Sequence, residues 1–174
     1  MAQGAGVASE GKGAGAVFRG VSQLALDAKG RLAIPAKHRD ALARRAPETK
    51  ESDPAAPAAV VVTADPSRCL LVYPRDAWEP IQARLMSLSS FNSEIRSLQR
   101  LIVGFADDVD LDGNGRILVP PALREYASLE HHVVLVGQGN KFELWDAAKW
   151  NDATARAIPF PAGGLPPELD GFSL

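Results

Sequence analysis

The sequence of 174 residues is 46% hydrophobic, so it can bury a core as one domain or as two compact half-size units. Its single cysteine, Cys69, excludes an internal disulfide framework and favours a reducing compartment such as the cytoplasm. Neither the Gly- and Ala-rich head nor any later segment has the long apolar run of a signal peptide or a membrane span, so we expect a cytoplasmic protein with no membrane partner.

Charge is unevenly distributed along the chain. The formal net charge of −2 argues against a nucleic-acid partner, because such proteins usually carry a basic surface. Residues 18–45 nevertheless hold seven basic and two acidic residues, a local charge of +5 that leaves −7 for the rest of the chain. This asymmetry is typical of a surface that faces a polyanion, and an ordinary solvated face is the alternative explanation.

The first predicted elements follow a head at residues 1–17 and form a β-β-α-β-β unit. Pro35 lies directly after the second strand, where proline suits the first turn of a helix. Residues 46–58, rich in Pro, Glu and Ala, are predicted to form a flexible inserted loop. The strands are short β-branched or alternating runs at residues 21–26, 31–34, 59–63 and 69–73.

Two amphipathic helices are predicted next, because apolar residues recur at helical spacing in two successive segments. We expect both apolar stripes to face the core. The stripes consist of Trp78, Ile81, Leu85 and Leu88 in the first helix and of Ile95, Leu98 and Ile102 in the second.

An internal repeat is the most informative feature of the sequence. Residues 26–35 are matched by residues 111–120 at a shift of 85, and Arg39 is matched by Arg124 at the same shift. Matches later in the chain have a shift of only 72, and the difference of 13 residues equals the length of the inserted loop. The second unit is therefore predicted to have the same β-β-α-β-β order. The later matches, at a shift of 72, join residues 61–62 to 133–134 and residues 70–78 to 142–150.

The chain is thus predicted to be an α+β protein built from tandem β-β-α-β-β modules. The expected division is a flexible head at residues 1–17, a first repeat at 18–75, a helical connector at 76–103, a second repeat at 104–148, and a C-terminal helix with a Pro-rich tail at 149–174.

Each repeat carries an Asp-x-x-Gly-Arg turn between its first two strands, named here the first tip (residues 27–31) and the second tip (residues 112–116). Asp and Gly suit tight turns, and a two-stranded ribbon with an Arg near its tip suits a DNA major groove. The alternative is that Asp and Arg only pin each hairpin. The residues predicted to shape the two turns are Asp27, Gly30, Asp112, Gly115 and Arg116.

The candidate DNA contacts lie in the basic first repeat. They are Arg31, Lys29, Arg19 and Lys37. Lys29 stands beside Arg31 in the first tip, whereas the second tip has Asn114 at that place and follows several aspartates. We therefore expect the first tip to dominate DNA binding.

Several segments, in the same order, resemble the MraZ family. They are Phe18-Arg19-Gly20, the two tips, Cys69-Leu70-Leu71-Val72-Tyr73-Pro74, Arg96-x-x-x-Arg100, and Val136-Gly137-Gln138-Gly139-Asn140-Lys141-Phe142-Glu143-Leu144-Trp145. The resemblance covers roughly residues 18–150, and the head, the inserted loop and the tail depart from it.

The resemblance implies a bacterial repressor made of two AbrB-type swapped-hairpin modules that form a double-split β-barrel. It further implies a ring-like homo-oligomer in the nucleoid, bound to short direct repeats of promoter DNA upstream of the division and cell-wall gene cluster. Arg31 corresponds to the family's DNA-contacting arginine, and Lys29 lies in the same tip. No cofactor and no catalytic residue is implied.

Two other function classes are alternatives. An antitoxin-like or scaffold protein would use the same module to hold a protein partner. An enzyme would bind a divalent metal through Asp107, Asp108, Asp110 and Asp112, but no His or Glu completes such a site, and Val119 occupies the position of the Glu that an EF-hand needs.

The remaining titratable candidates are interpreted as structural. His131 and His132 adjoin a strand, so their side chains are expected to alternate between its faces rather than share a metal. Cys69 begins an apolar strand and is expected to be a buried thiol. We therefore expect no metal site.

Overall fold

The computed structural model describes residues 17–43 and 59–156, which contain eight strands and five helices. The predicted head up to residue 16, the inserted loop and the tail beyond residue 156 lie outside the described residues. The elements are β1 (Phe18–Ala25), β2 (Arg31–Ala33), α1 (Ala36–Ala43), β3 (Ala59–Ala64), β4 (Leu70–Pro74), α2 (Arg75–Ser87), α3 (Ser93–Ile102), β5 (Asp107–Asp110), β6 (Arg116–Leu118), α4 (Pro121–Ala127), β7 (His132–Gly139), β8 (Phe142–Asp146) and α5 (Ala147–Ala155).

The β-β-α-β-β order is found in both repeats, and the α+β class is confirmed. Helix α4 begins at Pro121, where the missing N–H of proline would have had no partner within the helix. Strand β1 begins at Phe18, three residues earlier than predicted. The module boundaries themselves stay a prediction.

The two repeats are interleaved in one antiparallel sheet of six strands, in the order β1-β7-β8-β4-β3-β5. The first strand of each repeat pairs with a strand of the other repeat, because β1 pairs with β7 and β5 pairs with β3. If each strand is replaced by its equivalent in the other repeat, the same order is obtained in reverse, so the sheet has approximate two-fold symmetry. Each repeat therefore supplies the pairing partner for the first strand of the other.

The remaining strands, β2 and β6, pair with each other as a separate two-stranded element, the β2–β6 ribbon. A bridge between Leu26 and Leu32 connects the ribbon to the chain just after β1. Within the described residues the edge strands β1 and β5 do not pair with each other. The six-stranded sheet is therefore open, and the expected closed barrel is not confirmed.

One face of the sheet packs against the ribbon, α1 and α4. Leu32 and Ile117 from the ribbon, Leu123 from α4, and Leu135 and Leu144 from the sheet are each at most 1% exposed and belong to one hydrophobic cluster. This cluster contains side chains from both repeats. The repeats thus share a single core, as their interleaved strands require.

The opposite face of the sheet is covered by the helices α2, α3 and α5. Trp78 of α2 is buried against Tyr73, with ring centroids 5.6 Å apart, and its Nε1 donates a hydrogen bond to Gln82 Oε1 at 2.9 Å. The prediction that Trp78 faces the core is confirmed. The same prediction is wrong for Leu88 and Leu98, which are 42% and 38% exposed; α2 ends at Ser87, so Leu88 lies beyond its last turn.

Cys69 is buried beside Val134 and Trp145, as predicted. Burial raises the pKa of its thiol well above the usual value, with a smaller contribution from the negative charge of Asp65. The thiol is therefore unreactive and serves packing.

Candidate nucleic-acid interface

The first tip is a tight turn organised by Asp27. Its Oδ1 accepts hydrogen bonds from the backbone N–H groups of Lys29 and Arg31, both at 2.9 Å, and its Oδ2 accepts one from Arg31 Nε at 2.7 Å. The backbone N–H of Gly30 donates to the Asp27 carbonyl at 2.9 Å. Because Gly30 has a φ of +81°, which residues with a Cβ rarely adopt, the turn requires glycine at this position.

These hydrogen bonds stabilise the ionised form of Asp27. The bond from the Arg31 backbone N–H is the largest cause, the Arg31 side chain and the Lys29 N–H contribute further, and together they outweigh desolvation and lower the pKa of Asp27 to about 2. Asp27 therefore carries a negative charge at physiological pH and pairs with Arg31.

The Asp27–Arg31 pair gives geometric support to the alternative that these residues pin the hairpin. It also leaves Arg31 able to bind a second group. Only its Nε is engaged by a side chain, its terminal guanidinium nitrogens make no hydrogen bond within the described residues, and its side chain is 33% exposed. Pinning and DNA contact are thus compatible roles for one arginine.

The second tip has the same geometry. Asp112 Oδ1 accepts from the backbone N–H groups of Asn114 and Arg116 at 2.9 and 3.0 Å, and Oδ2 accepts from Arg116 Nε at 2.8 Å. The bond from the Arg116 backbone is again the largest cause that lowers the pKa of the Asp112 carboxyl. Gly115 has a φ of +70°. The duplicated sequence therefore forms a duplicated turn.

The β2–β6 ribbon places the arginines of both tips on one surface. Arg31 is paired with Leu118, Arg116 is paired with Ala33, and these four residues form the outer face of the ribbon. The alternate residues, Leu32 and Ile117, point inward and are fully buried. Since successive strand residues face opposite sides, burying one row exposes the other. Arg116 therefore lies on the same face as Arg31.

Sequence reasoning did not place Arg116 on that face. It assigned each Asp-x-x-Gly-Arg turn to a hairpin within its own repeat, whereas β2 and β6 pair across the repeats. A usable signal was nevertheless present, because both short strands share the alternation of an outer Arg with an inner Leu or Ile.

The four predicted DNA contacts form two groups. Lys29 and Arg31 lie together at the first tip. Lys37 lies beside Gly20, its Nζ 3.5 Å from where a Cβ on Gly20 would be, and thus near Arg19 at the start of β1. At 3.2–3.4 Å per residue, about 25 Å of strand separates Arg19 from the first tip. Neither residue therefore belongs to the tip. Because Phe18 packs in the cluster beneath the ribbon, strand alternation directs Arg19 toward the opposite face of the sheet, and only Lys37 lies on the ribbon side.

The surroundings of the two tips differ in charge. The strand that precedes the second tip, β5, exposes Asp107, Asp108 and Asp110, and only Asp108 has a basic partner within the described residues, Arg75 at 2.6 Å. The equivalent strand β1 carries Ser, Gln and Ala at the corresponding positions. The strand that precedes the first tip is thus the less acidic of the two.

The remaining candidate sites do not form a metal centre. His131 precedes β7, so the expectation that the two imidazoles diverge is wrong: their ring centroids are 4.7 Å apart. His131 Nδ1 lies 2.9 Å from the Leu26 carbonyl and so helps to hold the base of the first tip. Across residues 17–43 and 59–156, no three His, Cys, Asp or Glu side chains are grouped to hold a metal ion.

None of the helices in the described part of the chain has both the length and the apolar character needed to cross a bilayer.

Comparison with known proteins identifies relatives along nearly the whole chain. A family model described as "MraZ protein, putative antitoxin-like" matches residues 17–101 and again residues 102–162, one match for each half. A Transcriptional regulator MraZ of Nitrosomonas eutropha is 55% identical over 91% of this chain and 100% of its own length. Another, of Pseudomonas aeruginosa, is 50% identical over 88% of this chain and 97% of its own length.

These relatives are named as regulators and not as enzymes, in agreement with the expectation from the sequence. The family model covers both repeats, and the identities far exceed what shared architecture alone requires. The chain therefore belongs to the MraZ family.

Proposed function

We propose that this chain is a sequence-specific DNA-binding transcriptional regulator that reads DNA with the outer face of the β2–β6 ribbon. The observation that carries the proposal is the position of Arg31 and Arg116 on that face, held there by the burial of Leu32 and Ile117 beneath it. A two-stranded antiparallel ribbon fits the major groove, and an arginine can bond bidentately to guanine.

The first tip makes the main contacts in this proposal. Arg31 reads bases, and the exposed Lys29 beside it contacts bases or phosphate. Lys37, on the ribbon side of the sheet, and Arg19, on the edge strand β1, neutralise flanking phosphates in this proposal. The aspartates before the second tip repel the phosphate backbone, so Arg116 contributes less.

Affinity requires several subunits, because one short ribbon offers few contacts. Linking subunits makes later binding events intramolecular and raises avidity by roughly 10² to 10⁴ fold. We infer a ring-like homo-oligomer in which successive ribbons meet short direct repeats of double-stranded DNA. The swapped-hairpin barrel of the resemblance stays part of this proposal.

The helical connector supports self-association, because it exposes large apolar side chains that a second subunit could cover. They are Met86, Leu88, Phe91 and Leu98, with Phe91 97% exposed. Light scattering on wild type and Phe91→Ser tests this surface. A smaller oligomer for the variant supports it, and an unchanged mass excludes Phe91 from the interface.

The biological role in this proposal is repression of the division and cell-wall gene cluster from its promoter repeats, in the cytoplasm and at the nucleoid. Family membership and the names of the relatives support a regulatory role. No cofactor is needed, since binding alone blocks a promoter.

Selection of bound sequences from a random DNA pool, with the purified full-length protein, tests the proposal most directly. Recovery of a short repeat at regular spacing supports it and gives the operator. A pool that stays random after several rounds at physiological salt contradicts sequence-specific binding.

An antitoxin-like role is the second candidate, and the description of the matching family model favours it. In this case the module holds a protein partner instead of DNA. Affinity purification that recovers a stoichiometric protein partner, with no DNA retained at physiological salt, supports this candidate. Retention of DNA without such a partner argues against it.

A further inference from the structure

The first tip is in contact with an arginine of the other repeat. Arg124, on helix α4 of the second repeat, lies so close to Gly30 that a Cβ placed there would be 2.6 Å from Arg124 Cζ and 2.7 Å from its Nε. Arg124 Nε also donates to the Val119 carbonyl at 3.1 Å, which fixes the guanidinium in place. Gly30 is therefore needed both for its positive φ and for the space that Arg124 fills.

The second tip has the reciprocal contact. Arg39, on α1 of the first repeat, packs against Gly115, and its guanidinium Nη1 lies 3.3 Å from the Asn114 carbonyl. Arg39 Nε is buried without a hydrogen-bond partner in the described residues, whereas Arg124 Nε is satisfied. Each arginine thus makes one hydrogen bond within the described residues, Arg39 to the second tip itself and Arg124 to the neighbouring Val119.

Backbone hydrogen bonds complete the cross-repeat arrangement. Val119 N–H donates to the Gly30 carbonyl at 3.0 Å, and Ile34 N–H donates to the Gly115 carbonyl at 3.0 Å. Arg124 bonds the carbonyl of the same Val119 whose N–H holds Gly30. The conformation of the first tip is therefore controlled by residues of the second repeat.

We propose that Arg124 is a positioning residue for DNA reading by the first tip. This inference rests on the proposed function. Arg124 is partly buried and packs against Gly30, the residue that separates Lys29 from Arg31 in the chain. Its guanidinium therefore supports the turn that carries both basic side chains. Its loss leaves a space under Gly30 and lets the turn relax, which displaces the two basic side chains from the geometry that matches a base edge. Arg39, although it lies in the basic first repeat, has this relation only to the second tip.

The test uses full-length Arg124→Gln with Arg39→Gln as its matched control. The DNA probe is a duplex with the sequence that the wild-type protein selects from a random pool, and a scrambled duplex is the non-specific reference. We expect Arg124→Gln to lose about tenfold or more in affinity for the selected duplex, the size expected when one base-reading contact is misplaced. Binding of the scrambled duplex stays near the wild-type value, and Arg39→Gln loses no more than about threefold on the selected duplex.

Hydrogen exchange of the two tips gives a readout that a general loss of stability would not produce. Exchange should accelerate at residues 27–31 in Arg124→Gln and at residues 112–116 in Arg39→Gln. Each substitution thus affects the tip of the opposite repeat. If Arg124→Gln fails to fold, Arg124→Lys and Gly30→Ala replace it, and both should alter exchange at the first tip and lower the ratio of specific to non-specific affinity.

Wild-type affinity in the Arg124 variants, equal losses in the Arg124 and Arg39 variants, or exchange that rises equally at both tips overturns the inference. Failure of the proposed function has a different signature: no sequence is selected, or Arg31→Ala binds the selected duplex as the wild type does. Loss of binding in Arg31→Ala with normal binding in Arg124→Gln overturns the positioning role alone.

Discussion

Leu32 and Ile117 are paired directly opposite each other at the centre of the β2–β6 ribbon, and both side chains are fully buried. One belongs to the first repeat and the other to the second. Because Arg31 and Arg116, the last residues of the two tips, lie on the opposite face of the same ribbon, this pair joins the core of the protein to its candidate DNA-binding surface.

The buried pair should be important for stability. Replacing Leu32 with Ala removes buried methyl groups and leaves a cavity, so we expect the free energy of unfolding to fall by about 2–5 kcal/mol. Leu118→Ala is the matched control on the exposed face of the ribbon, and it should change stability by no more than about 0.5 kcal/mol. Denaturant titration of both variants measures the difference, and equal effects would contradict the assignment of the two faces.

The tryptophan on the other side of the sheet provides a second stability prediction. Trp78 is 4% exposed and packs on Tyr73, so Trp78→Ala should destabilise the protein by about 3–5 kcal/mol. Leu88, which shares its sequence stripe but is 42% exposed, should tolerate Ala with a loss below about 1 kcal/mol. Thermal melting of the two variants tests whether burial or the stripe determines the loss.

The local elements could be predicted from the sequence because they depend on nearby residues. The β-branched run in residues 59–63, proline before the helices, and Asp and Gly in the tips each express a short-range preference. The same preferences predicted the duplicated element order. They also predicted burial of Cys69, which lies next to an apolar strand.

Pairing across the repeats could not be predicted in this way. The polarity pattern of β2 does not indicate whether it pairs with β6 or with a strand of its own repeat, since either pairing buries Leu32. The contact of Arg124 with Gly30 follows from that exchange and was equally hidden, although the matching shift of Arg39 and Arg124 identified both residues. The contact between the His131 and His132 rings could not be predicted from strand alternation, because β7 begins only at His132 and His131 lies outside the strand.

Acid conditions should weaken the first tip through Asp27. Its pKa is lowered to about 2 in the folded protein from an ordinary value of 3.8, so the unfolded chain binds the proton more readily. The stability that Asp27 contributes is therefore fully present above about pH 4–5 and is lost as the pH falls toward 2.

Asp27→Asn removes this contribution, so the difference in stability between wild type and variant should be constant near neutral pH and shrink between about pH 4 and pH 2. Denaturant unfolding at a series of pH values measures it. A difference that stays constant down to pH 2 would show that the carboxylate is not stabilised in the turn.

Salt should weaken DNA binding steeply, because phosphate neutralisation releases condensed counterions. If Arg19 and Lys37 contact phosphates, each Ala variant should weaken binding to all sequences and reduce the slope of log K against log salt by about 1. Arg84→Ala is the control, because Arg84 is an exposed basic residue of α2 on the side of the sheet opposite Lys37. A flat salt dependence of the wild type, or an equal change of slope for Arg84→Ala, would exclude this surface as the phosphate contact.

The two tip arginines provide the sharpest comparison, because their local geometry is the same and their surroundings are not. Arg31 and Arg116 bond their aspartates at 2.7 and 2.8 Å, and their side chains are 33% and 30% exposed. A purely structural role therefore predicts equal damage from Arg31→Ala and Arg116→Ala. A reading role predicts asymmetry, since Lys29 accompanies Arg31 while Asp107, Asp108 and Asp110 precede the second tip.

We expect Arg31→Ala to weaken binding by roughly 1–3 kcal/mol for each DNA repeat that a subunit contacts. The losses add over the oligomer and abolish specific binding, while the melting temperature and the number of subunits stay nearly unchanged. Arg116→Ala should weaken binding far less, by the loss of a secondary contact on the same ribbon face. Titration of both variants against the selected duplex, with light scattering to follow the oligomer, measures the asymmetry. Equal losses in the two variants, or dissociation of the Arg31 variant, would mean that the arginine of the first tip serves only to pin its hairpin through Asp27.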